Sequence, residues 1–173
     1  KGELARERMD WEAAAMDYER AIRWDAGNAQ PHLGLGQMKS AQALWYRDPD
    51  PAAERAGKAR LAAEAKASLL RAQELNPLDM AVVFALARVY NALGDPEAAL
   101  EACRRAAAFQ RKHVFYREQV GIQLRRMGRD REALEVFRQN VADGVAGEVS
   151  VLNVRLLERK FAAEAAAVPP AAP

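Results

Sequence analysis

Apolar residues recur along the chain with the spacing of amphipathic helices, most clearly in the segment that begins at Met80. In Met80–Leu93 they form one stripe at helical spacing, made of Val83, Leu86, Ala87 and Tyr90. Gly94 follows this segment, and glycine ends helices because it enters the left-handed backbone conformation freely. Asp95 can cap a following helix, and Pro96 fits the first helical turn, where no amide donor is needed. The pattern predicts two short helices joined by a tight turn.

The same pattern returns after 34 residues. Gly94 and Gly128 are 34 positions apart, as are Ala99 and Ala133. The other matched positions are Leu86-Ala87 with Val120-Gly121, Tyr90 with Leu124, Leu100 with Leu134, and Cys103 with Phe137. A fixed period of this length indicates a repeat architecture in which each unit is one helix pair.

Two earlier copies of the second-helix pattern extend the repeat toward the beginning of the chain. One copy is Ala65, Leu69, Ala72 and Leu75, and the other is Ala14, Tyr18, Ala21 and Trp24. The copies are 51 positions apart, 17 more than one period, which indicates an insertion in the second unit. We expect helices over Pro31–Tyr46 and Ala52–Leu75, joined at the turn-forming Asp48–Pro51. Each is expected to run about two turns beyond its neighbours, so that the hairpin projects.

These residues resemble the tetratricopeptide family. The resemblance rests on Leu35-Gly36, Asn76-Pro77, Tyr90, Gly94-Asp95, Ala99 and Ala106, and it covers roughly residues 1–143. Lys39, Arg111 and Asn140 depart from the family pattern. The resemblance implies an all-α, right-handed superhelical solenoid of antiparallel helix pairs. It has about four units, the second with elongated helices, and a C-terminal capping helix.

The predicted organisation is a single solenoid over residues 1–165. Its units are a partial one at 1–28, one with the insertion at 29–79, and two more at 80–113 and 114–145. A capping helix follows at 146–165, where Val149, Leu152 and Leu156 have helical spacing, and residues 166–173 form an Ala/Pro-rich tail expected to be disordered.

Composition and charge exclude several classes of function. The 26 basic residues exceed the 24 acidic ones by only two, and this surplus is too small for a dedicated nucleic-acid-binding protein. The single cysteine, Cys103, excludes a disulfide within the chain and lies at a core position of its repeat. His32 and His113 lack ligand partners at helical spacing, and glycine-rich phosphate loops are absent. We therefore expect no enzyme, no cofactor and no metal site.

The resemblance implies a concave groove lined by the first helix of each unit. On this surface we expect a protein or peptide partner, with acidic peptides favoured by arginine. The residues predicted to bind are Gln37, Phe84, Arg88, Asn91, Phe115, Gln119, Ile122, Arg125 and Arg126. Family positions also place Leu33, Gly34 and Glu118 on it. As the alternative, the arginines are solvated charges and Phe84 and Phe115 are core residues.

A second predicted interface consists of Leu44, Trp45 and Tyr46, near the end of the projecting hairpin. Two interpretations are open for these three side chains. They pack on the small residues of the partner helix, Ala53, Gly57 and Leu61, or they form an exposed patch for a partner or a second copy of the chain.

The leading functional hypothesis is a non-catalytic, protein-binding scaffold that assembles a complex. One alternative is self-association through the hairpin or the N-terminal end. Another, by family analogy, is the tail of a bacterial membrane protein in envelope polysaccharide assembly or secretion, because the Ala/Arg-rich usage is typical of a GC-rich bacterium. The first residue is Lys1, so we interpret the chain as part of a longer protein of unassigned compartment, in the bacterial cytoplasm or periplasm. No apolar run in the chain is long enough to insert in a membrane.

Overall fold

In a computed structural model of the chain, which describes residues 11–167, those residues form eight α-helices and no strand. The helices are α1 (Trp11–Trp24), α2 (Ala29–Trp45), α3 (Pro51–Leu75), α4 (Met80–Ala92), α5 (Pro96–Phe109), α6 (Val114–Arg126), α7 (Asp130–Ala142) and α8 (Glu148–Ala167). The described residues up to Ala99 form one compact unit, and those from Leu100 onward form a second.

In the first unit, α2 packs against α1, α3 and α4, and α3 packs against α4. The shared core consists of Leu33, Ala65, Leu69, Ala72, Val82, Ala85, Leu86 and Val89, with Tyr90 at its edge. The helices approach closely where α2 carries glycine. A Cβ on Gly36 would lie 2.5 Å from Cγ of Leu69, and one on Gly34 would lie 2.3 Å from the ring of Tyr18. Lys39 of α2, one of the departures from the family pattern, forms an ion pair with Glu64 of α3. The ion pair neutralises its charge, so a lysine is compatible with packing at this position.

In the second unit, α6, α7 and α8 pack against one another. Phe137, Leu124 and Leu157 are fully buried, one from each of these helices. The ring of Phe137 occupies the space in which a side chain at Gly121 would stand, since a Cβ there would lie 2.5 Å from its Cζ. A small residue on one helix and a large one on the next therefore recur in both units.

The predicted turns and caps are present. Gly94, Gly128 and Gly144 have φ of 77°, 73° and 69°, the left-handed region that glycine enters most readily. Aspartates cap three of the helices, α3, α4 and α5. Asp95 Oδ1 accepts from the amide of Ala98 at 3.0 Å, and Asp50 and Asp79 make equivalent bonds to α3 and α4 at 2.9 Å.

The helices of the second pair are elongated, but unequally. α2 has 17 residues and α3 has 25, whereas α4 has 13 and α5 has 14. The expectation of two extra turns in each was wrong, because α2 gains about one turn and α3 about three. The turn itself lies where the sequence predicts it, because Tyr46 leaves the helical conformation and Asp50 caps α3, which begins at Pro51.

The apolar stripe noted in the sequence of α8 is not the face that is buried. Val149, Leu152 and Leu156 are exposed, whereas the buried residues are Ser150, Asn153 and Leu157. Ser150 and Asn153 are buried because both are hydrogen-bonded, to Glu118 and to Arg125. α8 includes residues 166 and 167 of the predicted tail. The rest of that tail, and residues 1–10 of the predicted first unit, lie outside the described range.

Two large residues of the repeat pattern are not in the core. Trp24 is 92% exposed, and Phe109, at the equivalent position of α5, is 55% exposed. Each is the last residue of its helix, so its side chain extends past the packed turns.

Candidate binding surfaces

The solvent-facing side of α4, called its outward face below, carries a cation beside an aromatic residue. Arg88 is exposed and makes no ion pair with another described residue. Phe84 and Asn91 are half-buried and lie one turn on either side of it. Phe84 therefore contacts the protein and still offers part of its ring to solvent, which suits an anchor at the edge of a binding surface.

The outward face of α2 is polar and longer. Gln30, Gln37 and Leu44 recur every seven residues and are exposed. Two residues that family positions placed on this surface are not available: Leu33 is buried in the core, and Gly34 is covered by the ring of Tyr18. Gln37 remains exposed.

The outward face of α6 resembles that of α4 but begins with more aromatic residues. Phe115 is 42% exposed and stands edge-on to Tyr116, with ring centroids 5.4 Å apart. Gln119 and Ile122 are half-buried, and Arg126 is exposed without an ion pair to another described residue. The face thus combines aromatic, aliphatic and cationic groups within three turns of one helix.

Arg125 lies next to Arg126 but serves a different purpose. Its guanidinium donates to Oδ1 of Asn153 on α8 at 2.5 Å, and its Nε is 3.7 Å from a carboxylate oxygen of Asp130. These contacts tie α6 to α8 and to the beginning of α7. Substitution of Arg125 therefore changes the fold as well as the surface, so Arg125 is unsuited to a test of binding.

Glu118 was also expected on the binding surface, and the structure buries it. Its Oε1 accepts hydrogen bonds from the amide of Gly147 at 3.0 Å, the amide of Ser150 at 2.9 Å and the hydroxyl of Ser150 at 3.0 Å. These groups form the beginning of α8, so Glu118 caps that helix from α6. The sequence held a signal for this contact: no Ser, Thr, Asp or Asn directly precedes α8.

At the second predicted interface the three residues separate. The ring of Tyr46 lies on Gly57 of α3, where a Cβ would be 2.3 Å from Cε1, as the packing interpretation expects. Leu44 and Trp45 are 56% and 72% exposed, as the patch interpretation expects. Arg47 donates to the carbonyl oxygens of Leu44 and Tyr46 at 3.0 and 2.8 Å and fixes this end of α2. Leu44 and Trp45 are thus exposed at a helix end that hydrogen bonds from Arg47 hold in place.

Among residues 11–167, no cluster of His, Cys, Asp and Glu side chains could hold a metal ion. Burial raises the pKa of the Cys103 thiol to about 11, partly offset by the positive charge of Arg126. A thiol with this pKa stays protonated at neutral pH, so Cys103 behaves as a buried apolar residue. None of the described helices is both long enough and apolar enough to cross a membrane.

Comparison with known proteins identifies the repeat and the fold. A family model for the tetratricopeptide repeat matches residues 81–113, which include α5 and all of α4 except Met80. A crystal structure of MamA matches with a TM-score of 0.60 and 17% identity, covering 95% of this chain and 96% of that one. Another MamA crystal structure has 18% identity over 99% of this chain and 94% of that one, with a TM-score of 0.42. A search of curated proteins found no match. The predicted all-α fold of helix pairs is confirmed.

Proposed function

We propose that this chain, a tetratricopeptide-repeat protein, is a non-catalytic scaffold that binds another protein or a peptide through exposed helix faces, those of α2 and α4 in the first unit and that of α6 in the second. The observation that carries the proposal is the pair Arg88 and Arg126. Each is exposed and lacks an ion pair with any described residue, and each shares its helix face with half-buried apolar or aromatic groups. Arginine beside aromatic anchors is the composition of binding hot spots.

Charge favours an acidic partner for the second unit. From Leu100 to Ala167 the chain has thirteen basic and nine acidic residues, whereas from Trp11 to Ala99 it has ten basic and twelve acidic ones. The guanidinium group forms forked, charge-assisted hydrogen bonds with carboxylates, so Arg126 selects acidic side chains more sharply than lysine could. The partner we propose is a peptide segment that carries both carboxylates and apolar side chains.

The test is selection of peptides from a random display library on the intact chain. We expect enrichment of sequences that combine Asp or Glu with an aromatic or aliphatic residue. The double variant Arg88→Glu, Arg126→Glu should bind the selected peptides at least about tenfold more weakly, because each lost charged hydrogen bond is worth roughly 1.5–3 kcal/mol. Binding constants from fluorescence anisotropy measure the effect.

A matched control is available in Arg23→Glu, Arg105→Glu. These arginines are exposed, one in each unit, and make no ion pair with another described residue. This control makes the same change in net charge away from the proposed faces and should leave affinity within about twofold. Equal weakening in both double variants would mean that binding follows net charge and not these faces.

A second candidate function is self-association through Leu44 and Trp45. Two neighbouring, exposed, large apolar side chains on a braced helix end are typical of a contact surface. We expect the sedimentation coefficient to rise with protein concentration, and Leu44→Ser with Trp45→Ser to abolish that rise. Trp24→Ser with Leu78→Ser removes a Trp and a Leu that are even more exposed and should not change the association. A chain that stays monomeric at every concentration contradicts this candidate.

A further inference from the structure

A shallow pocket of about 300 Å³ opens where the end of α5 meets α6 and α7. Its lining consists of Ala107, Ala108, Arg111, Arg117, Val120, Val136, Gln139 and Asn140. Most of the surface that lines the pocket is apolar, although two guanidinium groups and two side-chain amides also contribute to it. The volume lies at the lower end of the roughly 300–1,000 Å³ typical of ligand pockets. It therefore suits one or two side chains of a peptide, not a large cofactor.

The pocket is where the sequence departs from the stretch one repeat period before it. Four apolar residues of that earlier stretch correspond to polar or charged ones 34 positions later. Pro77, Val83, Ala106 and Phe109 correspond to Arg111, Arg117, Asn140 and Asp143, each 34 positions later. Two of these, Arg111 and Asn140, are also departures from the family pattern. Val83 and Ala106 are buried, so Arg117 and Asn140 stand at packing positions, and polar groups at packing positions are the kind of local conflict expected at functional sites.

Three of the four polar residues satisfy one another. Arg117 donates through Nε to Oδ1 of Asn140 at 2.8 Å and through a terminal nitrogen to Oδ2 of Asp143 at 2.5 Å. Gln139 donates to Oδ1 of Asp143 at 2.6 Å. Asp143 thus has both oxygens engaged, and Arg117, followed by Gln139, holds the pKa of its carboxyl below the usual range. This network needs no further anion.

Arg111 is the one of these four polar residues whose side chain takes no part in the network. Its carbonyl oxygen accepts a hydrogen bond from Arg117 at 3.4 Å, but its guanidinium makes no ion pair with a described residue. The carboxylate of the network, Asp143, is already paired with Arg117. A free guanidinium on the rim of an apolar pocket is complementary to a carboxylate carried beside an apolar side chain.

We propose that this pocket binds an acidic segment of a partner polypeptide, with an aliphatic side chain on Ala107, Ala108, Val120 and Val136 and a neighbouring carboxylate on Arg111. The site shares no residue with the helix faces proposed above, so the two proposals stand or fall separately. Arg117, fixed by Asn140 and Asp143, shapes the wall, and Arg111 supplies the free charge.

The test uses three probe peptides, each N-acetylated and C-terminally amidated, followed by NMR of the intact chain. The first has the sequence Glu-Leu-Leu-Glu, the second replaces both Glu by Gln, and the third replaces both Leu by Ala. We expect the first to shift the resonances of Ala107, Ala108 and the Asn140 side-chain amide saturably. The other two should bind at least about tenfold more weakly, because each lacks one of the two contributions.

Variants separate the pocket from other surfaces. Arg111→Gln should weaken the first peptide about tenfold and Ala108→Phe should block it by filling the pocket, while Arg105→Gln on the same helix should leave its affinity unchanged. All three positions are at the surface, so the fold is expected to persist. Equal binding of the glutamine peptide, or no saturable shift with any peptide, overturns the proposal.

Discussion

Replacing Phe137 by alanine is expected to lower the free energy of unfolding by about 3–5 kcal/mol. Phe137 is fully buried between α6 and α7, and its ring covers Gly121. Glycine has no side chain that could move into the vacated space, so the cavity stays open and the cost falls in the upper part of that range. Urea unfolding followed by far-UV circular dichroism measures the loss.

Gly121→Ala provides a control, because the ring of Phe137 decides whether this substitution destabilises or stabilises the protein. With Phe137 present, the new Cβ would lie 2.5 Å from the ring, and we expect a loss of about 1–3 kcal/mol. In the Phe137→Ala background the methyl group enters empty space, and alanine exceeds glycine in helix propensity by about 1 kcal/mol. Gly121→Ala should then stabilise. An equal cost in both backgrounds would show that ring and glycine do not share this space.

This pairing also explains how far the sequence could predict the fold. Small and large residues alternate at fixed offsets because each helix must approach the next closely, as Gly36 does with Leu69 and Gly121 with Phe137. A period that reflects close packing is visible in the sequence. The helix pairs and the turn at Gly94 followed from it, and the structure and comparisons confirm them.

The sequence could not predict which residues of a helix face remain free. The 34-residue offset places Glu118 where Phe84 stands and Arg125 where Asn91 stands, so both were assigned to the binding surface. The structure uses both to hold α8. The repeat offset gives only the position of a residue within its unit. The hydrogen bonds of Glu118 and Arg125 reach residues about 30 positions away in α8, which follows the repeats, and the offset carries no information about them.

The same limit applies to α8 itself. An amphipathic pattern assumes that the most apolar face is buried, and this selects Val149, Leu152 and Leu156. The observed core face contains Ser150 and Asn153, because hydrogen bonds to Glu118 and Arg125 offset the cost of burying their polar groups. The binding roles of Arg88 and Arg126 stay predictions, supported by exposure and by unpaired charge.

Replacing Glu118 by alanine is expected to release α8 while the other helices stay folded. Three donors at the beginning of α8, the amides of Gly147 and Ser150 and the hydroxyl of Ser150, lose their acceptor. Each donor left unsatisfied in a buried position costs about 1–3 kcal/mol, so we expect a local loss of about 3 kcal/mol or more. A terminal helix contacts only its neighbours and can unfold by itself.

Hydrogen exchange followed by mass spectrometry measures this release. Peptides from α8 should exchange much faster in Glu118→Ala, while peptides from α7 keep their protection. Glu118→Gln keeps an oxygen acceptor at the same distance and loses only the charge that favours the helix N-terminus, so it should cost about 1 kcal/mol. Ser150→Ala removes one donor to Glu118 and also the acceptor of the Asn140 side-chain amide, so it should cost less than Glu118→Ala, which leaves three donors without an acceptor. Unchanged exchange of α8 in Glu118→Ala would mean that the contacts of Leu157 and Asn153 alone hold the helix.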